Sequence, residues 1–136
     1  MSLGARRAKE HVLITPLIRQ VAQRDSLSDA EKDVLAGSVS RIFEVGAVVG
    51  LVREHDEPSE CKLLLEGWAC RNTLFAVGKP QILALQIPGD FVDLQSYPRQ
   101  RMDHSIVTLM PCKIAIVPHE VLREITELHP HLTRLL

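Results

Sequence analysis

The stretch 88-PGDFVDLQSYPRQRMDHSIVTLMPC-112 decides how this chain is read. It opens on a tight turn at Pro88-Gly89-Asp90, runs through a short polar segment, and ends in an apolar alternating run that starts at Ser105. A Gly-led turn and short helix set between two strands gathers backbone N–H groups that lack intrahelical partners, and such groups bind anions. The stretch therefore reads as an anion cradle, and the segments on both sides of it are expected to be β.

Outward from it, short β-rich runs alternate with turn residues at fairly regular spacing. They are "RIFEV" ending at Gly46, "AVVGLVRE", "CKLLLE" ending at Gly67, "ACRNTLFA", "QILALQI" ending at Pro88, "SIVTLM" and "CKIAIV". In the last, period-two pleating sends Cys112, Ile114 and Ile116 to one side and Lys113 and Ala115 to the other. Gly78-Lys79-Pro80 is a hairpin connection, so the strands flanking it pair antiparallel. Many short strands at this spacing form a sandwich or jelly roll.

Both ends are helical. Thr15 and Pro16 open a short helix carrying Leu17, Ile18 and Val21. Ser28-x-x-Glu31 is a capping box, in which each side chain satisfies a backbone N–H of the first turn, so a second helix starts at Ser28. Near the C-terminus Val121, Leu122, Ile125 and Leu128 share one helical face after Pro118. Pro130 either ends or bends this helix, or begins a new one with Leu132, Leu135 and Leu136 as its stripe. The expected fold is mainly β with flanking α: an antiparallel β jelly roll with N-terminal helices and a C-terminal helix. Residues 1–14 are read as a cloning scar or flexible N-terminus and residues 15–136 as one domain, whose uncapped apolar ending suggests a longer protein cut short.

Composition narrows the functional classes. The chain has 136 residues, 46% of them hydrophobic, and a formal charge of −1, so it lacks the basic surface with which proteins grip duplex DNA. No run approaches the ~20 apolar residues of a membrane span, and no apolar stretch at the N-terminus resembles a signal peptide, so a cytoplasmic protein is expected. Cys61, Cys70 and Cys112 have no C-x-x-C spacing and read as reduced, buried thiols.

The carriers of a family resemblance are Glu44-Val45-Gly46, "LLLEG" with Gly67, "GKPQILALQIPGDF" with Gly78 and Gly89, and "RMDHSIVTL", in that order. Together they resemble the cyclic nucleotide-binding-type sensor domain of the Crp/Fnr transcription regulators, over roughly Thr15 to Leu136. The resemblance implies that the segment from "GDF" to the Ser-bearing strand is a phosphate-binding cassette with Gly89, Asp93, Leu94, Arg99, Arg101, His104 and Ser105 as its site residues. In cyclic-nucleotide-binding members an acidic residue of the short helix holds the ribose hydroxyl, and an Arg-Ser pair with backbone amides holds the phosphate. Aligned without a gap on "GDF", Leu94 stands where that acid usually sits, Asp93 where a Gly usually sits, His104 at the Arg position and Ser105 at the Ser position. The resemblance further implies a homodimer, an unidentified small-molecule effector or none, a cut near the start of the dimerisation helix, and contact with DNA only through a C-terminal domain absent from this chain.

The changed residues predict that cAMP is not the signal. An Arg-to-phosphate contact contributes about 1.5–3 kcal/mol, so its loss costs roughly ten- to a hundredfold in affinity. His104 replaces it only when protonated, a minority state of an ordinary imidazole near pH 7. Asp93 adds negative charge where an anion would dock. Arg99 and Arg101 lie in the same loop and offer a different anion geometry, and a protonated His104 can pair with Asp93 or Asp103, although an exposed loop histidine is the commoner case.

Other chemistries fit less well. A cupin-type metal enzyme needs converging N/O ligands, whereas His55 and His104 stand alone and His129-Pro130-His131 lies at a helix junction. His104 and Ser105 are neighbours on a strand, a poor geometry for base and nucleophile. Trp68 is read as a packing anchor, and Arg71 as an exposed strand residue unless the register turns it inward. An iron–sulfur sensor would resemble a cluster of N-terminal cysteines, and no cysteine precedes Cys61; nothing selects haem. No enzyme, metal or cofactor is expected. The alternatives are a ligand-independent dimerisation or interaction module, and the sensor domain of another signalling protein.

Overall fold

The computed structural model describes residues 11–52, 59–74, 80–93 and 105–135. In chain order the elements are helices α1 (Thr15–Ala22) and α2 (Asp29–Gly37), seven strands, and helices α3 (His119–Leu128) and α4 (Pro130–Leu135). The strands are β1 (Arg41–Val45), β2 (Gly50–Val52), β3 (Glu60–Glu66), β4 (Ala69–Leu74), β5 (Pro80–Gln86), β6 (Ser105–Thr108) and β7 (Cys112–Pro118). They form a three-stranded sheet in the order β1-β7-β3 and a four-stranded sheet in the order β2-β6-β4-β5. Every pairing is antiparallel, as a jelly roll requires.

The three-stranded sheet is buried on both faces, and its pleat divides the core. Leu64, Cys112, Ile114 and Ile116 point into the space between the sheets, where they meet Ala69, Ile106 and Val92. Leu63, Leu65 and Ala115 point the other way, beneath Leu17 and Val21 of α1, Leu35 of α2, Ile125 of α3 and Leu132 of α4. The β7 alternation expected from sequence is thus present, with Ala115 facing the helix layer. Ile14, 1% exposed, joins this layer, and His11 Nε2 lies 2.7 Å from Asp33 Oδ1, so the packed part of the chain begins upstream of Thr15.

Local sequence explains the helix ends. The Ser28–Glu31 capping box is closed in both directions, at 3.0 and 3.1 Å. Pro118 precedes α3 in extended conformation, and Pro130 opens α4, which resolves the choice left by the sequence. The β4–β5 pairing is antiparallel as the Gly78-Lys79-Pro80 reading required; Gly78 and Lys79 themselves lie outside the described residues. Cys61, Cys70 and Cys112 are buried and none is in a disulfide.

Helix α4 is fastened by charge to α2 and to the connection that precedes it. His131 Nδ1 lies 2.5 Å from Glu31 Oε2, and its Nε2 lies 2.9 Å from Asp25 Oδ2. With an acceptor at each nitrogen the imidazolium, which donates from both, is the favoured form. The hydrogen bond to Asp25, then that to Glu31, raise the His131 pKa above its usual 6.5. The bond to His131 lowers Asp25, while the Ser28 backbone N–H and then His131 lower Glu31. His131 thus contributes fully below about pH 6.5 and loses its contribution as pH rises through the raised value; the carboxylates lose theirs as pH falls through their lowered values. An NMR titration is expected to show His131 protonating above 6.5 and returning toward the ordinary value in the double variant Asp25→Asn, Glu31→Gln.

Candidate functional site

The GDF segment runs along the free edge of β3. Gly89 N–H donates to Leu64 O at 2.8 Å, Leu64 N–H to Asp90 O at 2.9 Å and Val92 N–H to Lys62 O at 2.9 Å, and Phe91 bridges to Leu63. The edge strand of the three-stranded sheet is thereby paired instead of left open. Asp90 N–H also donates, to Ile87 O at 3.0 Å. The N–H groups of Gly89, Asp90 and Val92 are therefore all taken by carbonyls, and this half of the stretch is not the open anion cradle that its sequence implied.

Gly89 is required here by contact with α1. Its φ is +99°, and a Cβ would lie 2.6 Å from Pro16 O and 2.6 Å from Gln20 Nε2. Gln20 Nε2 in turn donates to Pro88 O and to Asp90 Oδ1, each at 2.9 Å. Asp90 Oδ2 accepts from Ile87 N–H at 2.9 Å. The turn is thus locked between the sheet edge and the first helix, which fixes where the segment after it begins.

That segment starts with Asp93, whose side chain is 0% exposed. Its Oδ1 accepts from Lys62 N–H at 2.6 Å, and its Oδ2 lies 3.5 Å from Lys62 Nζ. Burial raises the carboxyl pKa, and the Lys62 backbone N–H and ammonium oppose that shift. Lys62 stands opposite Ile116 in the β3–β7 register, so it shares the inner face of the sheet with the residues that meet between the layers. The pair is an internal charge balance.

A second cation points into the same space. Arg71 on β4 stands opposite Ile106 of β6, which is 0% exposed and belongs to the inter-sheet core. Ala69, two residues earlier and also in that core, shares its face. Arg71 is half-buried, and its Nε is buried without a hydrogen-bond partner. The expectation of an exposed strand arginine is corrected: register, which a single strand does not disclose, turns Arg71 inward. Trp68 is corrected in the opposite sense. Its side chain is 51% exposed, and it is the backbone carbonyl of Trp68 that accepts from Leu109 N–H, so the indole is not a buried anchor.

Of the site residues implied by sequence, Gly89, Asp93 and Ser105 are described. Ser105 is half-buried and opens β6 opposite Asn72 of β4. Gly89 and Asp93 are brought together along β3, while Ser105 lies in the other sheet. Leu94, Arg99, Arg101 and His104 lie outside the described residues. Sequence reasoning missed Lys62 as the partner of Asp93 and had no signal for Gln20 as the latch of the turn.

This arrangement can be set against known proteins. The chain belongs to the cyclic nucleotide-binding domain family, whose match spans residues 43–129, more than half of its length. Among solved structures, it is similar to the N-terminal domain of a transcriptional regulator from Streptomyces coelicolor A3(2), at 18% identity and TM-score 0.72, covering 88% of this chain and 83% of that one. It is similar to the Thermus thermophilus catabolite activator protein at 16% identity and TM-score 0.74, covering 88% and 54%. It is also similar to the regulatory subunit of a cAMP-independent protein kinase A from Trypanosoma cruzi bound to guanosine, at 15% identity and TM-score 0.72, covering 90% and 43%. The chain spans about half the length of the latter two proteins, and at these identities the likeness is one of fold. No curated protein sequence matches it. Membership in a family of regulatory binding domains agrees with a non-enzymatic role. Among the described residues, no cluster of His, Cys, Asp or Glu is placed to hold a metal ion, and no helix is long and apolar enough to cross a membrane.

Proposed function

We propose that this domain is the effector-sensing part of a Crp/Fnr-type transcription regulator and that cAMP is not its signal. The observation that carries the reading is the state of the GDF segment: the N–H groups of Gly89, Asp90 and Val92 are spent on the carbonyls of Leu64, Ile87 and Lys62, and a carboxylate, Asp93, occupies the position that follows. An anion docking there meets a carboxylate already paired with Lys62. The sequence adds Leu94 and His104 in place of the usual acid and arginine. That the regulatory subunit of a cAMP-independent protein kinase A from T. cruzi has this fold and is bound to guanosine supports a change of ligand within the fold. In this reading residues 15–136 are the sensor, the homodimer is completed by the helix that follows, and DNA is bound through a separate C-terminal domain. Effector binding then biases one of two arrangements of that helix, which requires a difference in affinity between them.

Calorimetric titration of the purified domain with cAMP and cGMP at neutral pH tests this. The expected result is no saturable heat at micromolar ligand; tight, saturable cAMP binding overturns it.

A further inference from the structure

We propose that the outer face of the four-stranded sheet is an interface on which a second copy of this chain packs. The inference goes beyond the sensor reading and uses none of the cassette residues.

Pleating assigns the face. Ala69 and Ile106 point into the inter-sheet core, so the residues that alternate with them point outward. Cys70 stands between Leu85 and Val107 in the register, and Gly50 lies beyond Val107. One residue past the strand ends, the same alternation sets Trp68 between Ile87 and Leu109, and Leu109 N–H donates to Trp68 O at 2.9 Å. Two adjoining apolar rows result, with no charged side chain in either. Trp68, Leu85, Ile87 and Leu109 are each between 44% and 51% exposed, where a sheet face turned to water ordinarily carries polar residues.

Val48 adjoins the second row and is strained. Its φ is +59°, a region that penalises a β-branched side chain. It is held there by its own N–H, which donates to Thr108 O at 2.9 Å, and by the Val49 N–H, which donates to Thr108 Oγ1 at 2.8 Å. Val48 is 79% exposed, so packing within the chain does not offset the strain, and backbone outliers of this kind gather at functional surfaces.

With Met110, also exposed, these side chains present on the order of 500–600 Å², the upper end of what an ordinary monomer exposes in one patch. A standard interface takes about 800 Å² from each partner, so the patch fills the apolar centre of one and a polar rim supplies the rest. The lack of charge selects a second copy. An uncharged face offers nothing to steer an acidic or basic partner or to hold anionic lipid, whereas an apolar patch complements itself across a two-fold axis. Pleated faces of this kind pack about 10 Å apart with interdigitated side chains.

Trp68 is the only tryptophan of the chain and reports on the face directly. Analytical ultracentrifugation of the whole chain is expected to show a reversible dimer forming between about 1 and 100 µM. Trp68 emission is expected to move to the blue in step, as the indole leaves water. Leu85→Lys is expected to weaken association by about tenfold or more, through the cost of desolvating the ammonium. Val48→Asn relieves the backbone, so it is expected to unfold no more easily than wild type and still to associate several-fold more weakly, which separates loss of the dimer from loss of the fold. Three results would each overturn the proposal: a wild-type chain that stays monomeric to about 100 µM, a dimer whose Trp68 emission does not move, or association left unchanged by both substitutions. If the monomeric chain instead co-sediments with phosphatidylcholine vesicles, the face belongs to a bilayer surface and not to a second copy.

Discussion

Replacing Lys62 by Met is expected to destabilise the domain by about 3–5 kcal/mol, the cost of stranding one member of a buried ion pair. The residue left behind is Asp93, 0% exposed, which keeps the Lys62 backbone N–H but loses the ammonium 3.5 Å from Oδ2. The pH dependence separates this cause from lost packing. Burial already holds the Asp93 pKa above its usual 3.8, so in that window the native state binds the proton more readily than the unfolded chain, and stability falls as pH rises. Without Lys62 the folded pKa climbs further. Urea unfolding is therefore expected to show the defect of K62M shrinking as pH is lowered toward the Asp93 range, whereas a pure packing loss leaves it unchanged. The added substitution Asp93→Asn is expected to recover part of the loss at neutral pH, because it removes the stranded charge and retains an acceptor for the backbone N–H.

Gly89→Ala is the second large effect, a loss of roughly 2–4 kcal/mol from a left-handed backbone that a Cβ strains and from overpacking. The clash is with backbone, Pro16 O at 2.6 Å, so a rotamer change does not relieve it. Gly37→Ala is the matched control. Gly37 ends α2, and a Cβ there meets nothing within 4 Å, so the substitution is expected to be neutral or stabilising by a few tenths to about 1 kcal/mol through helix propensity. Equilibrium unfolding of both variants checks the contrast. Gly89→Ala is also expected to loosen α1, because Gln20 reaches Pro88 and Asp90 only while the turn sits against it.

Much of this fold was legible in sequence because its signals are local. The capping box at Ser28 and Glu31 lies within four residues, and the β7 alternation lies within seven. The family resemblance likewise rested on short segments in a fixed order. Pairings across long separations were not legible: Lys62 with Asp93 spans 31 residues, and Gln20 with Asp90 spans 70. Arg71 shows the limit most clearly. Period two gives a strand two faces, but "WACRN" offers apolar residues to both, so only the pairing with Ile106 and Ala84 establishes which face is inward. The occupied N–H groups of Gly89, Asp90 and Val92 were not legible for a related reason: two of the three are taken by the distant edge of β3.

The most direct test of the claim that this interior has left cAMP behind is a titration of the ¹⁵N-labelled domain with cAMP, read at the amide signals of Ser105 and Ile106. These residues begin the strand where the resemblance places the phosphate, and they are paired to Asn72 and Arg71. Signals that stay in place at micromolar cAMP are the predicted result. Saturable shifts of both at micromolar cAMP would contradict it and return the phosphate to the cassette.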